Sequence, residues 1–152
     1  PTHRNTSWDY VRDEICAHHW IDLSESQYGV ALLNDSKYGF RACGSELDIN
    51  LLRSPKYPDP EADRGTHEFS YAIMPHENDF LKAQVYKAGY EYNVPLQAYA
   101  VEKSASTVAA NDYHSFMEID HPGIMIEAVK KAEDGSGWII RLYEALGGKT
   151  KA

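Results

Sequence analysis

The chain has 152 residues, with 15 Lys and Arg against 23 Asp and Glu, which leaves a formal net charge of −8. This length suits one compact domain or two small ones and is sufficient to bury a core without disulfides. The negative charge repels nucleic-acid phosphates and anionic lipids, so neither nucleic acid nor a membrane is an expected partner. The longest apolar runs are too short to span a membrane, and no export leader is recognisable.

The two cysteines, Cys16 and Cys43, predict neither a disulfide framework nor a metal-binding knuckle. Such low cysteine usage favours a reducing, cytoplasmic setting. The chain opens on Pro1 and closes on Ala152 without a recognisable natural start, which is typical of a fragment.

Period-two alternation of apolar and polar residues predicts most of the secondary structure. In the segment 46–53, Leu47, Ile49 and Leu51 share one face of a predicted strand, and the segment 66–74 alternates in the same way. Further predicted strands are 12–21, 28–33, 96–102, 114–119, 124–131 and 137–144. Many short strands separated by polar turns indicate a mainly β protein with an antiparallel β-sandwich.

The segment near residues 80–92 has helical periodicity instead. Its apolar residues recur at i, i+4, i+7 and i+11, which predicts one packed α-helix of about three turns. These residues are Leu81, Val85, Ala88 and Tyr92. Asn78 or Asp79 is placed to cap the start of the helix, and Pro95 prevents its continuation.

A stretch rich in Ser, Ala, Thr and Asn, residues 103–112, predicts a connector. We therefore expect two parts: residues 1–95, which include the helix, and residues 96–152. A single domain that spans both parts is the alternative.

The histidines do not predict a metal site. His18 and His19 are adjacent, and neighbouring residues of a strand point to opposite faces, so their rings cannot grip one ion. The other five histidines are scattered without the close spacing of a metal-binding motif. A serine-nucleophile elbow and a catalytic cysteine signature are also lacking in the sequence.

The twelve-residue loop 54–65 lies between two predicted strands and is longer than a hairpin requires, and such loops commonly carry function. Three prolines stiffen it. Arg53 stands at its entrance and continues the strand parity of the apolar row, where its guanidinium is placed to contact carboxylates or sugar hydroxyls. The alternative is a salt bridge from Arg53 to Asp59, Glu61 or Asp63.

Ordered strings that run through nearly the whole chain carry a resemblance. They are RNTSWD (4–9), CAH (16–18), DLSE (22–25), YGVALLNDSKYG (28–39), LLRSP (51–55), PDPEADRG (58–65), NVPL (93–96), EAVKKAE (127–133) and RLYE (141–144). In this order they resemble the C-terminal region of family 38 glycoside hydrolases, the α-mannosidases. They look closest to the bacterial and cytosolic branch of that family.

The resemblance implies a retaining exo-α-mannosidase with an N-terminal α/β catalytic domain, a helical bundle and C-terminal β-domains. It implies that this chain is a non-catalytic part of a large, double-layered, galactose-mutarotase-like sandwich, followed by the start of a small second sandwich. Zinc, or another divalent metal, and the catalytic residues then belong to the catalytic domain, so no cofactor is expected in this chain.

The implied partners are the N-terminal catalytic and helical domains of the same enzyme and a mannose-containing oligosaccharide. A homo-oligomer is compatible with the sequence. The resemblance further implies that the sandwich forms a wall beside the catalytic pocket. Arg53 is the first candidate substrate-side residue, and Asp59, Asp63 and Arg64 are further candidates.

The alternative function is an independent carbohydrate-binding module, in which exposed aromatic rings stack on sugars. Its candidate residues are Trp8, Trp20, Tyr38 and Tyr57.

Overall fold

The computed structural model describes residues 6–100 and 114–151, without the side chains of residues 9 and 10. Its elements are α1 (Ser7–Val11), β1 (Glu14–Cys16), β2 (Trp20–Ser24), β3 (Tyr28–Asn34), β4 (Gly39–Cys43), β5 (Glu46–Ile49), β6 (Tyr71–Glu77), α2 (Val85–Asn93), β7 (Ile124–Lys131) and β8 (Trp138–Glu144). None of the described helices is long and apolar enough to cross a membrane.

The chain divides into two units, with the division between Leu96 and Gln97. The described residues of the N-terminal unit are 6–96, and those of the C-terminal unit are 97–100 and 114–151. The division into domains of residues 1–95 and 96–152 stays a prediction, and the predicted connector 103–112 lies outside the described residues.

Two three-stranded antiparallel sheets form the N-terminal unit, with the orders β2-β3-β6 and β1-β4-β5. Strand β3 is central in the first sheet, and Ala31, Leu32 and Leu33 are consecutive buried residues in it. Because successive residues of a strand point to opposite faces, β3 is covered on both faces.

One face of β3 packs against helix α2. Ala31 and Leu33 form a buried cluster with Phe80 and Val85, and Trp20 packs against this cluster. Trp20 lies opposite Leu33 in the register, and its ring centroid is 5.7 Å from that of Phe80. The helix therefore forms an apolar layer on the sheet.

The other face of β3 packs against the second sheet. Leu32, together with Ile21 of β2 and Phe40 of β4, forms a second buried cluster, and Leu47 and Ile49 of β5 pack against it. Two antiparallel sheets thus enclose an apolar layer, with one helix on the outside. The predicted antiparallel β-sandwich with a packed helix is confirmed.

Several strand bounds differ from those predicted. The segment 12–21 forms two strands instead of one, since the chain bends at His18 and His19, and His19 has a left-handed φ of 63° that a strand does not accommodate. The strand predicted at 66–74 begins only at Tyr71 and extends to Glu77. Strand β4 and the short helix α1 were not predicted.

Two predicted strands are not formed in their described residues. Residues 96–100 are exposed and have no strand partner, and residues 114–119 are irregular. Alternation of apolar residues alone does not form a strand where no neighbouring strand offers hydrogen bonds.

Helix α2 begins about one turn later than predicted. Before it, the carboxylate of Asp79 accepts hydrogen bonds from the backbone N–H groups of Leu81 at 3.1 Å and Lys82 at 2.9 Å. Gln84 then has a left-handed φ of 53°, so regular helix starts only at Val85. Asp79 therefore caps the turn that precedes the helix.

A buried hydrogen bond crosses β3 from one sheet edge to the other. Nε2 of His76 lies 2.7 Å from Oδ1 of Asp22, and both side chains are 4% exposed. Gly29 of β3 lies opposite His76 in the register. A Cβ at Gly29 would lie 2.3 Å from Cε1 of the imidazole. The absence of a side chain at this position is what lets the ring cross the central strand.

The carboxylate of Asp35 links the end of β3 to the segment before β6. It accepts hydrogen bonds from the hydroxyl of Ser70 at 2.7 Å, the backbone N–H of Ser70 at 3.0 Å and the hydroxyl of Ser36 at 2.9 Å. These bonds, above all the one from the Ser70 hydroxyl, lower the pKa of Asp35 below the ordinary value of an aspartate.

The C-terminal unit contains an antiparallel hairpin of β7 and β8, with a register shift between Ile126 and Ala128. Both strands lie within one residue of their predicted bounds. Trp138, Ile139 and Ile140 are successive and exposed, so neither face of β8 is covered within the described residues. A two-stranded hairpin is only marginally stable by itself and needs further strands for stability.

Substitution of Gly29 by Ala should destabilise the protein. The added Cβ would meet the imidazole at 2.3 Å and the Cβ of Ser24 at 2.5 Å, closer than van der Waals contact allows. We expect a loss of about 1–3 kcal/mol in the free energy of unfolding, measured by denaturant titration. Gly39→Ala is the control, since its Cβ would lie 3.4 Å from the nearest atom. Equal stability of the two variants would contradict the packing described here.

The lowered pKa of Asp35 predicts a pH dependence of stability. Its hydrogen bonds contribute above the unfolded-state pKa of about 3.9 and are lost as the pH falls through the lower folded-state pKa. The stability difference between the wild-type protein and Asp35→Asn should therefore be constant near neutral pH and shrink in acid. Glu68→Gln, an exposed carboxyl of the same segment, is the control. A difference that persists unchanged into acid would count against this role of Asp35.

Candidate functional site

Arg53 lies beyond the end of the strand that was predicted to hold it. Strand β5 ends at Ile49, and one further ladder bond joins the N–H of Asn50 to the carbonyl of Gly39 at 2.8 Å. The chain then leaves the sheet, and Ser54 takes a left-handed φ of 47°. The argument that placed Arg53 by strand parity is therefore wrong, although the residue does stand at the entrance of the loop.

The loop 54–65 is folded on itself by its own carboxylates. Asp59 accepts a hydrogen bond from the N–H of Glu61 at 2.9 Å, and Glu61 forms an ion pair with Arg64. The carboxylate of Asp63 accepts from the N–H of Ser54 at 2.9 Å and so joins the two ends of the loop. All three acidic side chains thus have partners inside the loop.

Arg53 is exposed and takes no part in any ion pair among residues 6–100 and 114–151. The alternative salt bridges to Asp59, Glu61 or Asp63 are not formed. An arginine that is always charged and has no carboxylate partner presents a fork of N–H donors to whatever binds beside it.

An open cavity of about 180 Å³ lies beside Arg53. Its lining residues are Lys37, Gly39, Asn50, Leu51, Leu52, Arg53, Asp63 and His67. The cavity brings together two of the four predicted site residues, Arg53 and Asp63. Asp59 and Arg64 do not line it.

Lys37 and His67 line the cavity and were not predicted. The backbone N–H of Lys37 donates to Oδ1 of Asn34 at 2.7 Å, and its ammonium lies 4.6 Å from the ring centroid of Phe69. Nε2 of His67 lies 2.8 Å from the backbone carbonyl oxygen of Asp63, so this nitrogen carries a proton and donates. Lys37 lies in the string 28–39 that carries the resemblance, but no pattern there marks its side chain as a site residue, and folding brings it to the loop.

No group of three His, Cys, Asp or Glu side chains among the described residues can hold a metal ion. His18 and His19 lie in a bend, so the strand geometry used to separate their rings is wrong. The zinc or other divalent metal implied by the family resemblance has no fitting ligand set in the described part of this chain.

The aromatic residues proposed for sugar stacking lie in different segments. Trp20 is partly buried and packs against the cluster of Ala31, Leu33, Phe80 and Val85. Trp8 lies on α1 and Tyr57 in the loop, with exposures of 81% and 88%. Tyr38 contacts the ring of His18 edge-on, with ring centroids 5.0 Å apart. The four residues therefore stay separate candidates for sugar stacking, of which Trp8 and Tyr57 are the most exposed.

Two family models match the chain. Residues 1–61 match the C-terminal domain of glycosyl hydrolases family 38, and residues 123–152 match the C-terminal beta sandwich domain of the same family. The chain belongs to glycosyl hydrolase family 38. It is part of the C-terminal region of these proteins, as the resemblance predicted.

Relatives from distant eukaryotes match over almost the whole chain. Alpha-mannosidase 2C1 of Homo sapiens is 47% identical over 150 residues, which cover 97% of this chain and 14% of the human protein. Alpha-mannosidase G of Dictyostelium discoideum is 41% identical over 152 residues, which cover 99% of this chain and 14% of the Dictyostelium protein. Alpha-mannosidase of Saccharomyces cerevisiae is 36% identical over 167 residues, which cover 100% of this chain and 15% of the yeast protein.

The family 38 chain thus spans about a seventh of the length of these relatives. Its assignment to the bacterial and cytosolic branch stays a prediction.

Proposed function

We propose that the chain is the non-catalytic C-terminal β-domain region of a retaining exo-α-mannosidase. In this role it completes the substrate pocket and stabilises the catalytic domain during hydrolysis of terminal α-linked mannose. Membership of family 38, α-mannosidases as relatives and the small share of their length that it covers support this proposal.

The substrate role rests on one observation: Arg53 has no ion-pair partner among the described residues. Arg53 lines a cavity, and the acidic side chains of the adjoining loop are bound elsewhere. Its donors are therefore available for sugar hydroxyls, and hydrogen bonds from a charged donor are stronger than those between neutral groups.

The other predicted site residues have different roles in this proposal. Asp63 lines the cavity and holds the two ends of the loop together through Ser54. Asp59 and Arg64 do not reach the cavity and act through the shape of the loop. Asp59 and Arg64 are therefore positioning residues and do not contact the substrate.

The catalytic and helical domains of the same polypeptide are the proposed partners. On the face of β2-β3-β6 that the second sheet partly covers, the neighbouring side chains of Tyr71 and Ile73 on β6 are 50% and 66% exposed, and Tyr28 at the other end of β3 is 53% exposed. Large apolar side chains exposed together are typical of a surface that another part of the protein covers.

The free cysteines Cys16 and Cys43 accord with a cytoplasmic location, which is also proposed.

Replacing Arg53 by Ala in the full-length enzyme should lower kcat/KM for an aryl α-mannoside about ten- to a hundredfold. This is the range for losing one or two charge-assisted hydrogen bonds of about 1.5–3 kcal/mol. The melting temperature should change little, because Arg53 has no partner in the described fold. Steady-state kinetics and thermal melting give the two quantities.

Arg41→Ala is the matched control for Arg53→Ala. Arg41 pairs with Glu46 and Asp48 on the exposed side of β4 and does not line the cavity, so its loss should leave kcat/KM unchanged. Asp63→Ala should loosen the loop and lower kcat/KM less than Arg53→Ala. Normal kinetics of Arg53→Ala, with a fall in melting temperature equal to that of Asp63→Ala, would overturn the substrate role.

The isolated chain should self-associate through the exposed face of β6, because water would otherwise contact Tyr71 and Ile73. We expect Ile73→Lys to reduce the associated fraction in light scattering. Val11→Lys, which alters a side chain on α1 that is 79% exposed against 66% for Ile73, should not. A monomeric chain that binds no hydrophobic dye would favour an independent carbohydrate-binding module.

A further inference from the structure

We propose that a second cavity of the N-terminal unit binds a neutral hexose residue. The cavity has a volume of about 520 Å³ and lies between the two sheets, beside the β2-β3 turn and the β4-β5 turn. Ligand cavities in proteins commonly measure about 300–1,000 Å³, so this one is large enough for a sugar ring. The proposal goes beyond the proposed function and does not rest on it.

This second cavity is separate from the one beside Arg53. Gly39 and Asn50, which meet at one end of the β4-β5 ladder, line the cavity beside Arg53. Ser45 and Leu47, towards the opposite end of the same ladder, line the second cavity. None of the described residues lines both cavities. A ligand in the second cavity is therefore held by a different set of side chains.

The floor of the second cavity is apolar. Leu23 of β2 and Val30 of β3 are partners in the register, and Leu47 of β5 lines the cavity from the second sheet. All three residues are half-buried. Tyr28, at the start of β3, also lines the cavity and is 53% exposed. An exposed aromatic ring beside an apolar floor offers a surface on which the C–H groups of a sugar ring can pack.

Polar side chains surround this floor. Glu25, Tyr28 and Ser45 line the cavity, and their side chains form no hydrogen bond or ion pair with any other residue that the structure describes. The backbone N–H of Glu25 donates to the carbonyl of Tyr28 at 2.9 Å, which closes the turn that carries both residues. Gly44, with a left-handed φ of 57°, forms the turn that carries Ser45. Hydrogen-bonding groups are thus held in place around an apolar floor, as in many small-molecule sites.

The charge of the lining selects the class of ligand. Glu25 is the one charged side chain among the described residues that line the cavity, and it repels phosphates, sulfates and carboxylates. A wholly apolar ligand would cover this carboxylate without offering it a donor, which is costly. A neutral hexose has C–H groups for the floor and hydroxyl groups that donate to Glu25. Hydrogen bonds to a charged acceptor are stronger than those between neutral groups.

The test is ligand-observed saturation-transfer NMR of the 152-residue chain with methyl α-D-mannopyranoside, a neutral hexose glycoside. We expect saturable binding whose Kd rises about tenfold in Glu25→Gln, because the acceptor loses its charge and keeps its shape. Tyr28→Ala removes the packing surface and should also raise the Kd about tenfold. Tyr28→Phe retains the ring and should bind more tightly than Tyr28→Ala.

Tyr57→Ala and Glu68→Gln are the matched controls. They remove an exposed aromatic ring and an exposed carboxylate that do not line the second cavity, so the Kd should stay unchanged. Circular dichroism establishes that each variant is folded. If Tyr28→Ala is not folded, Glu25→Gln decides the test, because Glu25 is exposed in a turn.

A second probe, butylammonium, distinguishes a cationic ligand from a sugar. Binding of butylammonium without binding of the mannoside would show that the cavity takes a cationic group, and the proposal would be wrong. Mannoside binding that is not saturable, or equal Kd values for the wild-type chain, Glu25→Gln and Tyr28→Ala, would also overturn it. The proposed role of Arg53 would stand in each case, because Arg53 does not line this cavity.

Discussion

Burial of strand β3 on both faces is the constraint on which the N-terminal unit depends. Consecutive apolar side chains from Ala31 to Leu33 leave no face of the strand for water. One face therefore requires the helix α2, and the other requires the second sheet. The turn from β3 into β4 then brings Lys37 and Gly39 beside the segment after β5, where the cavity forms. The candidate site is thus a product of the sandwich.

The sequence predicts the parts of the fold that depend on strong local signals. Strands β3, β7 and β8 have long apolar or alternating runs, and each was predicted within one residue of its bounds. Strand β4 has only Phe40 as a buried side chain, so its pattern is weak and its hydrogen bonds to β1 and β5 determine it. Where pairing ends, as after Ile49, alternation continues in the sequence although the strand has stopped.

The candidate site also combines residues that the sequence predicts with residues that only the folded structure reveals. Arg53 and Asp63 belong to a long, proline-stiffened loop, and that property is visible in the sequence. Lys37 approaches them through tertiary structure, whereas His67 follows the loop in the chain and contacts the carbonyl of Asp63 four residues earlier. The pairing of Asp59 and Asp63, which helps to decide whether Arg53 is free, depends on backbone N–H groups whose directions no residue pattern specifies.

The contact at Gly29 couples substitutions at positions 22, 29 and 76. Asp22 and His76 lie on different strands and meet only because the strand between them has no side chain at Gly29. In a relative with a larger residue at position 29, the histidine ring cannot cross, and an aspartate at position 22 would be buried without its partner. Evolution and protein engineering must therefore alter these three positions together, although 54 residues separate the outer two in the sequence.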